Sequence, residues 1–183
     1  MDLRTKILTA FDSLENMRNE LEKRLELCEV DWLAIPESES KWSVNQVLTH
    51  LSDAEYGTLR YIKKKMQGID SLGKSDLLSR IRSKLLHWLL RSPYRYSMPK
   101  QLPQPSNELT LDELKARFNK NRIEFQKLLQ TFPEESLDIL IFKHPFAGRL
   151  SLHQTILFME DHYLHHLKQI DRVLKSVENR GNS

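Results

Sequence analysis

The chain has 183 residues, of which 39% are hydrophobic and 29% are charged, and its formal net charge is +3. This composition predicts a single globular domain over residues 1–183. The net charge is too small to indicate nucleic-acid binding by itself, and no run approaches the roughly 18 apolar residues of a membrane span. The lone cysteine, Cys28, permits no internal disulfide. We therefore expect a cytoplasmic protein that binds neither nucleic acid nor membrane.

The first predicted element is an amphipathic helix over residues 2–28. Its apolar residues recur at alternating spacings of four and three: Leu3, Ile7, Ala10, Leu14, Met17, Leu21 and Leu25. This spacing is typical of a helix with one buried seam. The seam shows no titratable cluster, so the helix is expected only to pack. Cys28, near its end, is expected to be a packing residue rather than a nucleophile.

Three more helices are predicted over residues 43–67, 110–131 and 151–176, because each begins with a capping box. In a capping box, the N-cap side chain and the side chain three residues later each bind the other residue's backbone amide. The pairs are Ser43 with Gln46, Thr110 with Glu113, and Ser151 with Gln154. With the first helix, these elements predict an all-α fold of the four-helix-bundle type.

Residues 68–109 are predicted to form a long irregular crossover between the second and third of these four helices. Residues 74–90 have the apolar spacing of a helix, but no helix can continue through the prolines that follow at Pro93, Pro99, Pro103 and Pro105. Two interpretations are open. The crossover is either a surface connection, which we favour, or a cover over a functional site.

The last predicted helix carries His162, His165 and His166. His162 and His166 are one turn apart beside the apolar stripe, whereas His165 lies off it. His50 lies at the edge of the apolar face of the second helix. Two imidazoles from one helix and a third from a facing helix can hold a divalent metal and leave a position for water or substrate. The competing interpretation is a set of partly buried, hydrogen-bonded histidines without a metal.

The other histidines are weaker candidates. His87 and His153 lack a partner at a useful spacing, and His144, which precedes Pro145, is expected to have a structural role in a turn. Residues 137–150 around it are predicted either as a short extended segment with a turn or as a loop packed on the end of the bundle.

Two stretches of the chain resemble motifs of the DinB-like (DinB/YfiT-like) proteins. The first runs from Trp42 to Glu55 and includes His50. The second runs from His144 to Ser151 and continues with the histidine-rich stretch that ends at Ile170. The resemblance covers most of the chain.

The resemblance implies a four-helix bundle with up-down-down-up topology and frequent homodimers. It also implies a three-histidine site at His50, His162 and His166 that binds a divalent metal, commonly zinc or nickel. No catalytic side chain is assigned.

The family includes thiol-dependent transferases, isomerases and metal-dependent hydrolases. We predict a metal-dependent thiol S-transferase that acts on a low-molecular-weight thiol and a small electrophile, because a divalent metal stabilises a thiolate near neutral pH. No glutamate follows His162 as it does in zinc peptidases, which fits this prediction. Arg91, Arg95 and Lys100 could attract an anionic thiol if their segment folds over the site. The alternatives are a metal-dependent hydrolase, a metal-binding sensor or stress protein without turnover, and a non-catalytic bundle that acts through a protein partner.

Overall fold

The computed structural model describes residues 1–92 and 104–181. The fold of these residues is mostly helical, which confirms the predicted class. The five α-helices in this part of the chain are α1 (Leu3–Leu25), α2 (Val44–Met66), α3 (Leu77–Arg91), α4 (Leu111–Thr131) and α5 (Leu152–Gly181). A hairpin of β1 (Phe142–His144) and β2 (Gly148–Leu150) precedes α5, and single 3-10 turns lie at Val30–Ala34, Ile69–Ser71 and Glu134–Ser136.

The predicted capping boxes are present at the starts of α2, α4 and α5. At α2, Ser43 Oγ accepts from the Gln46 amide at 3.2 Å, and Gln46 Oε1 accepts from the Ser43 amide at 3.0 Å. The predicted ends are less accurate. Helix α1 stops at Leu25 rather than at residue 28, and α5 continues to Gly181 rather than 176. The last turn of α5 is held because Arg180 Nη2 donates to the Pro36 carbonyl at 2.8 Å.

The prediction that the crossover is irregular is wrong for its middle, where α3 covers most of the residues 74–90 that have the apolar spacing of a helix. Its start is also a capping box: Asp76 Oδ1 accepts from the Ser79 amide at 2.7 Å, and Ser79 Oγ accepts from the Asp76 amide at 3.0 Å. This cap is harder to recognise in the sequence because serine, rather than glutamate or glutamine, stands at the third position. Helix α3 packs against α5 and β2, and its residue Leu86 is buried.

Residues 137–150 form the extended segment with a turn, not the packed loop. Strands β1 and β2 pair in antiparallel register, with Phe142 opposite Leu150. The three-residue turn at 145–147 leads into Gly148, the first residue of β2, whose φ of +71° is a conformation that favours glycine. A Cβ at this position would also lie 3.3 Å from Arg82 Nη1 of α3.

Helix α5 packs against α1, α2 and α3, and α2 also packs against α4. The apolar faces of these helices meet in one core. Its fully buried members include Leu14, Val44, Val47, Ile62, Leu114, Phe125, Ile156 and Ile170. This arrangement brings together α2 and α5, the two helices that carry the candidate metal ligands.

A buried ion cluster formed by Glu15, Arg18, Glu55 and Arg122 corrects the expectation that α1 has only a packing role. Arg18 is fully buried. It pairs with Glu15 on its own helix, and its Nη2 lies 2.5 Å from Glu55 Oε1 on α2. Arg122 of α4 pairs with the same Glu15. On a helical wheel Arg18 lies about 40° from Leu14, within the apolar seam, so its position is visible in the sequence.

Glu55 is the most strongly shifted carboxyl group of this cluster. Burial raises the pKa of Glu55 from 4.5 to about 7, although the neighbouring Arg18 opposes the shift. An acid with a higher pKa in the folded state binds its proton more tightly there than in the unfolded chain. Its contribution to stability therefore falls as the pH rises between these two pKa values.

We predict that the free energy of unfolding of the wild-type protein, relative to that of Glu55→Gln, falls as the pH rises from 5 to 8. The pKa shift from 4.5 to about 7 limits the fall to about 3 kcal/mol, at 1.36 kcal/mol for each pKa unit. Urea unfolding of the two metal-free proteins at pH 5 and pH 8 measures the difference in their free energies of unfolding. The variant retains the buried histidines, whose contribution to stability rises with pH. That contribution is the same in both proteins and cancels when they are compared. An equal difference at both pH values would contradict the prediction.

Candidate metal site

The structure brings His50 of α2 together with His162 and His166 of α5. The Nε2 atom of His162 lies 3.2 Å from the Nε2 of His50 and 3.2 Å from the Nε2 of His166. One ring nitrogen from each histidine lies within 4.8 Å of the other two. We call these residues the three-histidine group; it consists of the three residues that the sequence singled out.

The start of α2 positions His50. The Ser43 cap sets the first turn, and the preceding Trp42 lays its ring over two of the imidazoles. Its centroid lies 5.2 Å from that of His50 and 6.4 Å from that of His166, and it is nearly parallel to the latter ring at 16°. The Trp42 indole N–H donates to Gln104 Oε1 at 2.8 Å, which holds the ring in place.

Residues 104–107, at the end of the predicted crossover, bind the start of α2. Gln46 Nε2 donates to the Pro105 carbonyl at 3.2 Å, and Asn107 bonds to the Ser43 hydroxyl. This part of the crossover therefore buttresses the site beside Trp42. The predicted cover falls on residues 93–103, with Arg95 and Lys100, which lie outside the described residues.

All three imidazoles are neutral near pH 7. Burial, and then the neighbouring imidazoles, hold the pKa of His162 well below its usual range and lower that of His166 to about 3. Burial also lowers the pKa of His50. His166 Nδ1 lies 2.9 Å from Gln169 Oε1, which can only accept. The His166 proton is therefore on Nδ1, and its Nε2 lone pair faces the group.

The nitrogen spacing fits a bound metal ion. Ligand nitrogens about 2.05 Å from a tetrahedral ion are separated by about 3.3 Å, close to the observed 3.2 Å. Between neutral rings, the single Nε2 of His162 can form an ordinary two-centre hydrogen bond with only one of its two neighbours. A cation at the centre would satisfy all three lone pairs at once. The residues present therefore fit the metal that the sequence implied.

Aromatic side chains wall the group on the hairpin side. The Phe158 ring stacks on His162 with centroids 5.5 Å apart, and the His144 ring meets the Phe158 ring edge-on at 4.5 Å. His144 Nδ1 accepts from the amides of Phe146 and Ala147 at 3.2 and 3.1 Å, which closes the turn. Burial lowers the pKa of His144 to about 4. The structural role predicted for His144 is confirmed.

Two polar residues of α5 near the three-histidine group, Asp161 and His165, contact α3. His165 Nδ1 lies 3.2 Å from the Leu90 carbonyl, so His165 is outside the three-histidine group. His87 has no partner at a useful spacing in the sequence, but the structure gives it a distant one, since its Nδ1 lies 2.7 Å from Asp161 Oδ2. Arg91 Nε donates to Asp161 Oδ1 at 2.6 Å. The charge of Arg91 thus ties α3 to the buried Asp161 instead of facing a substrate.

Cys28 and His153 take no part in the group. Burial raises the pKa of the Cys28 thiol, which is the opposite of the shift that activates a nucleophile. The Cys28 Sγ lies 3.5 Å from the Arg24 carbonyl at the end of α1, as expected of a packing residue. His153 is partly buried, and burial lowers its pKa.

A mostly helical fold with three converging imidazoles on two adjacent helices defines a helical protein with a candidate metal centre. The chain matches the DinB superfamily over residues 13–170, and it belongs to this family. The resemblance seen in the sequence is thereby confirmed. No curated protein and no solved structure matches the chain significantly. Within the described residues, no helix combines the length and the apolar character needed to cross a membrane.

Proposed function

We propose that the protein is a divalent-metal-dependent enzyme of the thiol S-transferase type, with His50, His162 and His166 as the ligands of zinc or nickel. The observation that carries this proposal is the convergence of three neutral imidazoles, in which His162 Nε2 lies 3.2 Å from the Nε2 of His50 and from that of His166. Three neutral ligands leave the full charge of a divalent ion uncompensated. Such an ion would favour the ionised form of a thiol or of water near neutral pH.

The chain's own residues then hold the imidazole rings. Gln169 orients the ring of His166, Trp42 stacks on His166, and Phe158 stacks on His162. The three-histidine group contains no carboxylate to serve as a general base. A thiol that ionises on binding needs no such base, which favours transfer of a low-molecular-weight thiol to a small electrophile over hydrolysis. In the same proposal, α1, α2, α4 and α5 form the up-down-down-up bundle, in agreement with their mutual contacts.

We predict that His50→Ala and His162→Ala each lower the amount of bound zinc or nickel at least tenfold, because two imidazoles hold a divalent ion far more weakly than three. His165→Ala is the matched control, since its ring faces the Leu90 carbonyl. Elemental analysis of protein purified without a metal-binding tag measures the metal, and circular dichroism verifies the fold. Equal metal content in all three variants would show that the ligand assignment is wrong.

We predict that the metal-loaded wild-type protein joins a low-molecular-weight thiol to a generic electrophile about 100-fold faster than His162→Ala, which corresponds to a loss of about 3 kcal/mol. The reaction is followed by loss of free thiol over a panel of thiols, with His165→Ala as the control. Equal rates in the wild type and His162→Ala would exclude the transferase. Metal-dependent ester cleavage without thiol would support the hydrolase, and bound metal without turnover would support a sensor.

We also propose that the protein forms a homodimer through the exposed face of α3. Five apolar side chains on this face are each more than half exposed: Leu77, Leu78, Ile81, Leu85 and Trp88. They span about 100° of the helical wheel, opposite the buried Ser79 and Leu86. A contiguous apolar stripe of this kind is typical of an interface. Pairing of two copies would bury on the order of 1,000 Å², at the lower end of the range for specific interfaces.

We predict that Leu85→Glu raises the dimer dissociation constant at least tenfold, because it places a charge within this stripe. Ile123→Glu on α4 is the control, since Ile123 is similarly exposed, at 51% against 54% for Leu85. Sedimentation equilibrium measures the dimer dissociation constants of the wild type and of the two variants. A monomeric wild type, or equal effects of the two substitutions, would contradict the proposed interface.

A further inference from the structure

A small cavity lies between α2 and α5, beside His162. Its volume is about 10 Å³, roughly the minimum that holds one water molecule. Its lining includes the polar residues Glu55, Thr58, His162 and Tyr163, and the other lining residues are apolar. His162 is the one member of the three-histidine group that lines this cavity.

The two oxygens of Glu55 have different surroundings. Oε1 pairs with Arg18 Nη2 at 2.5 Å, which fixes the carboxylate. Oε2 is buried and accepts no hydrogen bond from the described residues, and the side chain as a whole is only 6% exposed. A buried carboxylate oxygen without a hydrogen-bond donor destabilises the folded protein. A donor inside the cavity would remove that destabilisation.

His162 has a matching requirement. Its contacts within the three-histidine group use Nε2, so Nδ1 carries the proton when Nε2 faces an ion. A histidine that binds a metal almost always donates its other ring N–H to a carboxylate, a carbonyl or a water. Thr58 Oγ1 donates to the Ala54 carbonyl at 2.8 Å, so its oxygen can still accept.

We propose that one water in this cavity accepts from His162 Nδ1–H and donates to Glu55 Oε2 and to Thr58 Oγ1. Glu55 is then a positioning residue that acts on the metal site through His162, and Arg18 extends the connection to α1. The water makes three hydrogen bonds, the usual number for a buried water. The inference rests on the proposed function, because the position of His162 matters only if an ion binds the three-histidine group.

The test compares Glu55→Gln with Glu15→Gln. Glu15 is the other carboxylate that pairs with Arg18, but it does not line the cavity, so its substitution controls for loss of an Arg18 ion pair. A third variant, Ala54→Val, adds bulk to the cavity wall and leaves both carboxylates in place. Zinc affinity is measured at pH 8 by competition with a chelator, because the pKa of Glu55 is about 7 and the group is then ionised. The visible spectrum of the cobalt-substituted proteins reports ligand geometry independently of activity.

We expect Glu55→Gln and Ala54→Val each to weaken zinc binding by about tenfold or more and to change the cobalt spectrum. Glu15→Gln should bind zinc as the wild type does. Wild-type affinity in both Glu55→Gln and Ala54→Val would overturn the inference and leave the metal site standing. Equal weakening of zinc binding by Glu15→Gln and Glu55→Gln would also overturn the inference. If Glu55→Gln does not fold, Ala54→Val decides alone. A wild type that binds no zinc, nickel or cobalt would overturn the proposed function and this inference with it.

Discussion

The contact of three neutral imidazoles between α2 and α5 fixes the relative position of these two helices. A slip of one helical turn, about 5.4 Å, would move His50 out of reach of His162 and leave buried ring nitrogens without partners. The caps at Ser43 and Ser151 start each helix at the residue that gives this register. Burial keeps the rings uncharged, and neutral rings present the lone pairs that a divalent ion requires.

The buried ion cluster fixes the relative positions of α1, α2 and α4. Charges taken from water into a protein interior are costly unless each finds its partner, so the cluster forms only when α1, α2 and α4 are correctly placed. Arg18 meets Glu55 of α2 and Glu15 of α1, and Glu15 in turn meets Arg122 of α4. The cluster thus fixes the positions of three helices, and through Glu55 it lies next to the cavity lined by His162.

Helix α3 joins this framework from outside. The buried Asp161 receives His87 and Arg91 from the last turns of α3, and both partners are about half exposed. Leu86 and the pairing of residues 73–75 with 138–140 also contribute to the docking of α3. The opposite face of α3 turns the apolar side chains Leu77, Ile81 and Leu85 outward.

The sequence by itself determined the starts of α2, α4 and α5 and the identity of the three histidines, because capping boxes and helical periodicity are local patterns. The Asp76 cap and the burial of Arg18 are encoded in the same local form, although neither was predicted. Only the tertiary structure decided which partners the buried charges have. His87 and Asp161 are 74 residues apart, and Arg18 and Glu55 lie on different helices. No local pattern specifies such pairs, because they depend on which helix faces lie against each other once the core has formed.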